Sequence, residues 1–245
     1  MKAAVITKQA APVAPNVAFA DFPDPPALGP REARVRTLAS SLNHLDLWVG
    51  KGVPGLPLEY PRVSGSDVCG VVESVGPGAD PSWLGKRVIL NAAMVQPEPF
   101  KPFDPPEPIT PELFMIGEHI HGTNAQFFNA PVSNLQPIGD NQDPIEAAAF
   151  GLTFLTAYSM MVGKANLRPG QWVLITGIGG GVATAALAIA KARQCRVVVT
   201  SRHQWKLDRA KALGADELLL DTGEDWSRAA RKATGGRGFD LAVDS

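Results

Sequence analysis

"VLITGIGGGVATAALAIAKA", residues 173–192, runs from an apolar stretch through Gly177, Gly179, Gly180 and Gly181 into an alanine-rich pattern of helical period. It reads as strand, turn and helix. Glycines leave the turn without side chains. An anion can then approach the helix N-terminus, where unpaired N–H groups and the helix dipole favour negative charge. A dinucleotide pyrophosphate is such an anion. The strict G-x-G-x-x-G spacing is not met, because Gly179 and Gly181 are followed by Thr184; Gly177, Gly180 and Ala183 fit a small-residue variant. Gly177, Gly179, Gly180, Gly181 and Val182 are the expected cofactor contacts.

Reading onward, "CRVVVT" is a second strand and "HQWKLDRAKALG" a second helix, stopped at Gly214. "ELLLD", "DWSRAARKATGG" and "FDLAVDS" continue the alternation. Strand–helix alternation of this kind predicts right-handed crossovers and a parallel sheet. An NAD site would carry an acid at the end of the second strand, bonding the ribose 2′-OH. Thr200, Ser201, Arg202 and His203 stand there instead, with Lys206 one turn on. Cations attract a 2′-phosphate where a carboxylate would repel it, so Ser201, Arg202 and Lys206 point to NADP.

Reading backward, residues 1–140 hold most of the 22 prolines, with short runs such as "ARVRTLA", "VCGVVESVG" and "KRVILNAA" between turn signals. "VQPEPFKPFDPPEPITPEL", 95–113, is too rich in proline for a helix or a central strand. "DPIEAAAFGLTFLTAYSMMVGKA" predicts one long helix or two short ones, with Asp143 as N-cap and Pro144 at the first helical position. A net charge of −1 gives no electrostatic case for nucleic acid or an anionic membrane. No apolar run approaches the roughly 20 residues that cross a bilayer. Two cysteines exclude a disulfide framework and a four-cysteine zinc site, so a cytoplasmic protein is expected.

The ordered segments "MKAAVI", "NHLDLWVGKG", "PRVSGSDVCGVVESVGPGA", "LGKRVI", "GEHIHGTNAQFFNAP", "EAAAFGLTFLTAY" and "GIGGGVATAALAIAKA" resemble the medium-chain dehydrogenase/reductase superfamily. This is the superfamily of zinc alcohol dehydrogenases and zinc-free quinone reductases. The resemblance implies an α/β protein with a GroES-like β-barrel domain over 1–142, a connecting helical segment over 143–164 and a Rossmann NADP-binding domain over 165–245. The chain ends in the fourth strand of that doubly wound sheet, so the expectation is a C-terminally truncated Rossmann domain and a fragment of a longer enzyme.

In zinc members, the resemblance places catalytic ligands at positions matching Asn43, Ser66 and Leu152, and a four-cysteine lobe at 95–113. An amide, a hydroxyl and an isobutyl group are not zinc ligands, so no metal is expected. Leu45 and Trp48 occupy the places of the alcohol-dehydrogenase proton relay. His44 matches a position that contacts the cofactor pyrophosphate, and Asp46 matches an acid that fixes backbone around the cleft. Asn43 and Ser66 are the expected catalytic polar contacts. Tyr60 and Trp48 are candidates for an apolar cleft, while Tyr158 reads as core. The combined expectation is a zinc-independent NADPH reductase acting on a quinone or conjugated enone, a small electrophilic substrate, and forming a homodimer. Two alternatives stand beside it. One is a non-catalytic NADPH-binding protein. The other is a zinc alcohol dehydrogenase relative using His119 and His121, which share a face if "GEHIHG" is a strand.

Overall fold

The structure, a computed structural model, describes residues 1–95, 113–223 and 225–244. It divides into two compact units, Met1–Leu152 and Thr153–Ser245. Most of the proline-rich segment 95–113 lies outside the described residues. No helix among the described residues is long and apolar enough to cross a membrane.

The first unit contains, in chain order, β1 (Lys2–Ile6), β2 (Val17–Asp21), β3 (Glu32–Ser41), α1 (His44–Lys51), β4 (Arg62–Val63), β5 (Asp67–Val75), β6 (Arg87–Leu90), β7 (Ala93–Val95), β8 (Leu113–Met115), β9 (Phe127–Pro131), β10 (Leu135–Pro137) and α2 (Pro144–Ala148). The strands pair antiparallel, in a sheet of order β2-β1-β4, a larger one of order β10-β6-β5-β3-β9 and the hairpin β7-β8. Alternation turns Ala33 and Val35 of β3 inward, against Val68, Val72, Val88, Leu90 and Phe128. The segment ahead of β9 ties the two larger sheets together. Ala4 N–H donates to Asn124 C=O (2.8 Å) and Gln126 N–H to Lys2 C=O (3.0 Å), while Thr37 N–H donates to Gln126 C=O (2.9 Å).

The helical segment resolves into two helices and a wider turn. Asp143 caps α2 by accepting from Ile145 N–H (2.9 Å), with Pro144 at its first position. α3 (Gly151–Tyr158) follows and runs into a π-helical turn over Ser159–Lys164. Tyr158, expected in the core, is 52% exposed; it stands one residue past Ala157, the buried side of α3.

The second unit continues with β11 (Trp172–Ile175), α4 (Gly181–Ala192), β12 (Arg196–Ser201), α5 (Gln204–Ala212), β13 (Glu217–Leu220), α6 (Ser227–Ala233) and β14 (Leu241–Val243). All four strands are parallel, in the order β13-β12-β11-β14. That is third, second, first, fourth, the order of a Rossmann half with the fourth strand added. The strands are apolar on both faces because helices cover both: Val173, Ile175, Val197 and Val199 are fully buried. On α4, Ala183, Ala186 and Ala190 recur at helical spacing and are fully buried, so the helix can lie close to the sheet. Gly214, at φ +97, ends α5 as its sequence position predicts.

Candidate functional site

In the second unit, the glycine turn connects β11 to α4 and is held by the end of the neighbouring strand. Ile178 N–H donates to Thr200 C=O (2.8 Å), and Gly177 N–H to Thr200 Oγ1 (3.2 Å). Gly177 and Gly179 adopt φ of +64 and +122, which L side chains rarely tolerate. The first bond of α4 runs from Thr184 N–H to Gly180 C=O (3.0 Å). The amides of Gly181, Val182 and Ala183 are therefore left without intrahelical partners. Among the described residues, a Cβ on Gly180 would meet nothing within 4 Å, whereas one on Gly181 would press on Thr153 Cγ2 at 2.7 Å. The turn is thus open at Gly180 and packed on either side, a cradle that fits a pyrophosphate group.

The strand end beside it carries the other expected contacts. Ser201 is buried, and its Oγ accepts from His203 N–H (3.2 Å). Arg202 is exposed. Lys206 reaches back from α5 across the turn: a Cβ on Gly179 would stand 2.7 Å from Lys206 Cδ and 3.3 Å from its Nζ. The structure therefore brings Gly179 and Lys206 together, and no carboxylate occurs among residues 200–204.

In the first unit, Asn43 and Asp46 open α1. Asp46 is buried; its Oδ2 accepts from Asn43 N–H (2.7 Å) and its Oδ1 from Gly65 N–H (2.8 Å). Burial pushes the Asp46 carboxyl above its ordinary range. Those two amides and the Ser64 hydroxyl oppose the rise, and the nearby Asp67 charge adds to it. The Asn43 side chain turns the other way, donating from Nδ2 to Asp67 Oδ2 (2.9 Å). A cavity of about 400 Å³ opens beside α1. Ile6, Val13, Val17 and Leu47 supply apolar wall, and Asn43, His44, Asp46, Ser64 and Asn124 its polar groups. Ser66 is 1% exposed, and its hydroxyl is buried without a hydrogen-bond partner among the described residues. Trp48 is 57% exposed, and the Tyr60 hydroxyl donates to Val49 C=O.

The strand that would set His119 and His121 on one face is absent. Residues 117–119 form a turn closed by an Ile116–Ile120 bridge, and a turn does not align alternate side chains on one face. His119 Nδ1 accepts from Met115 N–H (3.1 Å), while His121 Nδ1 accepts from Val63 N–H (3.4 Å). The two imidazoles thus serve different strands. Among the described residues, no group of three or more His, Cys, Asp or Glu is placed to hold a metal ion.

Asp67 is the residue that sequence reasoning passed over. It is 1% exposed and heads β5. Its Oδ2 accepts from Ser41 Oγ (3.0 Å) as well as Asn43 Nδ2, and its Oδ1 from Leu152 N–H (2.6 Å). The signal in the sequence is a lone acid leading the apolar run "VCGVV", where burial would be costly without donors.

Residues 29–140 match the alcohol dehydrogenase GroES-like domain, and residues 181–245 match the zinc-binding dehydrogenase family. The zinc-type alcohol dehydrogenase-like protein YogA of Leptosphaeria maculans is 34% identical over 203 residues, covering 78% of this chain and 54% of that protein. The chain therefore spans about half the length of this curated relative. The crystal structure of an NAD-dependent alcohol dehydrogenase superposes with a TM-score of 0.88 at 43% identity, over 100% of this chain and 70% of that one. A quinone oxidoreductase of Pseudomonas syringae pv. Tomato DC3000 superposes with a TM-score of 0.78 at 25% identity, over 98% and 65%.

Proposed function

Because this chain belongs to the medium-chain dehydrogenase/reductase superfamily, we propose that it is the part of a zinc-independent, NADPH-dependent reductase that carries the catalytic unit and the adenosine half of the cofactor site. Its acceptor would be a quinone or conjugated enone. The observation that carries the reading is the glycine turn with Lys206 across it and no acid at the end of β12. Bound there, the dinucleotide supplies the hydride. Gly180 and the amides opening α4 hold the pyrophosphate. Ser201, Arg202 and Lys206 hold the 2′-phosphate. One similar structure is of an NAD-dependent enzyme; the cationic strand end of this chain argues for the phosphorylated cofactor instead.

Asn43, Ser66 and Leu152 offer no thiolate, imidazole or carboxylate for zinc. A quinone or enone needs less polarisation than an aldehyde, because its reduced anion is delocalised and takes a proton from water. The cavity beside α1 has the matching profile, with apolar walls and a few polar groups at Asn43, Ser64 and Asn124. We place the enzyme in the cytoplasm, as a homodimer.

The test is turnover with NADPH and NADH against quinones, conjugated enones and simple alcohols, with elemental analysis and size-exclusion mass beside it. Quinone or enone reduction favouring NADPH, by a zinc-free dimer, is the expected result. Alcohol oxidation with one zinc per chain would overturn the reading, and dinucleotide binding without turnover would favour a non-catalytic binder.

A further inference from the structure

We propose that Asp67 is a positioning residue of the reductase site, acting through Asn43; the inference rests on the reductase reading above. Asp67 is a buried carboxylate, and no Lys, Arg or His nitrogen among the described residues lies within 4.0 Å of its oxygens. A buried charge without a counter-charge is costly unless hydrogen bonds satisfy it, so what Asp67 does is read from its bonds.

The carboxylate gathers donors from three separate segments: Ser41 at the end of β3, Asn43 at the N-cap of α1, and Leu152 in the first turn of α3. Its own carbonyl takes a fourth, from Thr123 Oγ1 (2.9 Å). The approach of α3 is built around it. A Cβ on Gly151 would sit 2.6 Å from Asp67 Oδ1 and 2.8 Å from Leu90 C=O. A carboxylate can only accept, so the Asn43 amide must turn its nitrogen toward Asp67. This fixes the orientation of Asn43, which lines the cavity. Charge-assisted bonds hold such geometry more tightly than neutral ones.

The experiment exchanges the two partners. Asp67→Asn sets amide against amide, Asn43→Asp sets carboxylate against carboxylate, and the double variant restores one donor and one acceptor. Each single variant should lower kcat for quinone reduction at least tenfold while NADPH affinity changes less than twofold. The double variant should recover hydrogen-exchange protection at residue 43 and Leu152 to within threefold of the unmodified protein, while its kcat stays low because residue 43 lines the cavity. A double variant as poorly protected as the singles, or an undiminished Asp67→Asn, overturns the proposal. If Asp67→Asn does not fold, the double variant decides alone: folded and protected supports the proposal, unfolded overturns it. If the unmodified protein reduces no quinone or enone, the reductase reading has failed. Hydrogen exchange then decides the role of Asp67. Protection at Asn43 and Leu152 should fall at least tenfold in Asp67→Asn and return in the double variant, and unchanged protection overturns the proposal.

Discussion

Lys206 lies across the place that a side chain at residue 179 would occupy, its Cδ 2.7 Å and its Nζ 3.3 Å from a Cβ built on Gly179. The glycine is required by a φ of +122, while the lysine above it could swing aside. The ammonium lies beside the turn that would receive the phosphates, 5.5 Å from the Trp205 ring centroid.

Gly179→Ala should therefore cost about 1–3 kcal/mol of stability from backbone strain and displace Lys206. Gly180→Ala separates cradle from fold. Its φ is −82, and an added Cβ would meet nothing within 4 Å among the described residues. It should cost under about 1 kcal/mol in stability, yet weaken dinucleotide binding by filling the open side of the turn. Thermal melting and calorimetric titration check both. Gly180→Ala with undiminished binding would show that the pyrophosphate does not sit there.

Arg202→Ala should weaken NADPH binding about tenfold or more and leave NADH nearly unchanged, since a charge-assisted contact to the 2′-phosphate contributes on the order of 1.5–3 kcal/mol. Parallel titrations with the two cofactors read the difference. Equal weakening of both would assign Arg202 to something other than the phosphate.

Gly122→Ala should destabilise the first unit by about 1–3 kcal/mol or more, because packed backbone cannot yield to an added methyl. A Cβ there would stand 2.2 Å from Gly65 C=O and 2.4 Å from Ser64 C=O. Those residues lie beside the Asp46 contact, so protection of Gly65 N–H from hydrogen exchange should fall with the melting temperature. An unchanged melting temperature would contradict the packing.

Stability should fall as the pH drops below the ordinary imidazole range, in part through His121. Burial, and then the Arg62 charge, push its pKa down, with Glu59 opposing. The unfolded chain takes up the proton first, so stability is full above the unfolded value and is lost as the pH falls toward the depressed folded value. His121→Phe removes the titrating group, and its melting temperature should change less across that window. Identical pH profiles for both proteins would exclude His121 as a source.

The strand, glycine turn and helix of the second unit were legible because they are local. Strand, glycine turn and helix occupy one continuous stretch, and Ser201, Arg202 and Lys206 fall within six residues on the next strand–helix pair. Hydrophobic periodicity and glycine placement act over such distances, and covering helices force the strands between them to run parallel. The polar site of the first unit was only half legible. Asn43, His44 and Asp46 announce a helix start, yet sequence spacing does not say which way an amide turns.

The sequence by itself thus determined the two kinds of domain, the order of the elements and the glycine turn, since each follows from short-range pattern. Only the tertiary structure decided what those residues touch. Asp67 meets Asn43, Ser41 and Leu152 from 24, 26 and 85 residues away. His119 and His121, two apart in sequence, bond to different strands because His119 lies in a turn, which has no two-residue alternation. A buried carboxylate takes whatever donors folding brings within reach, and that depends on how the sheets close, which no local pattern encodes.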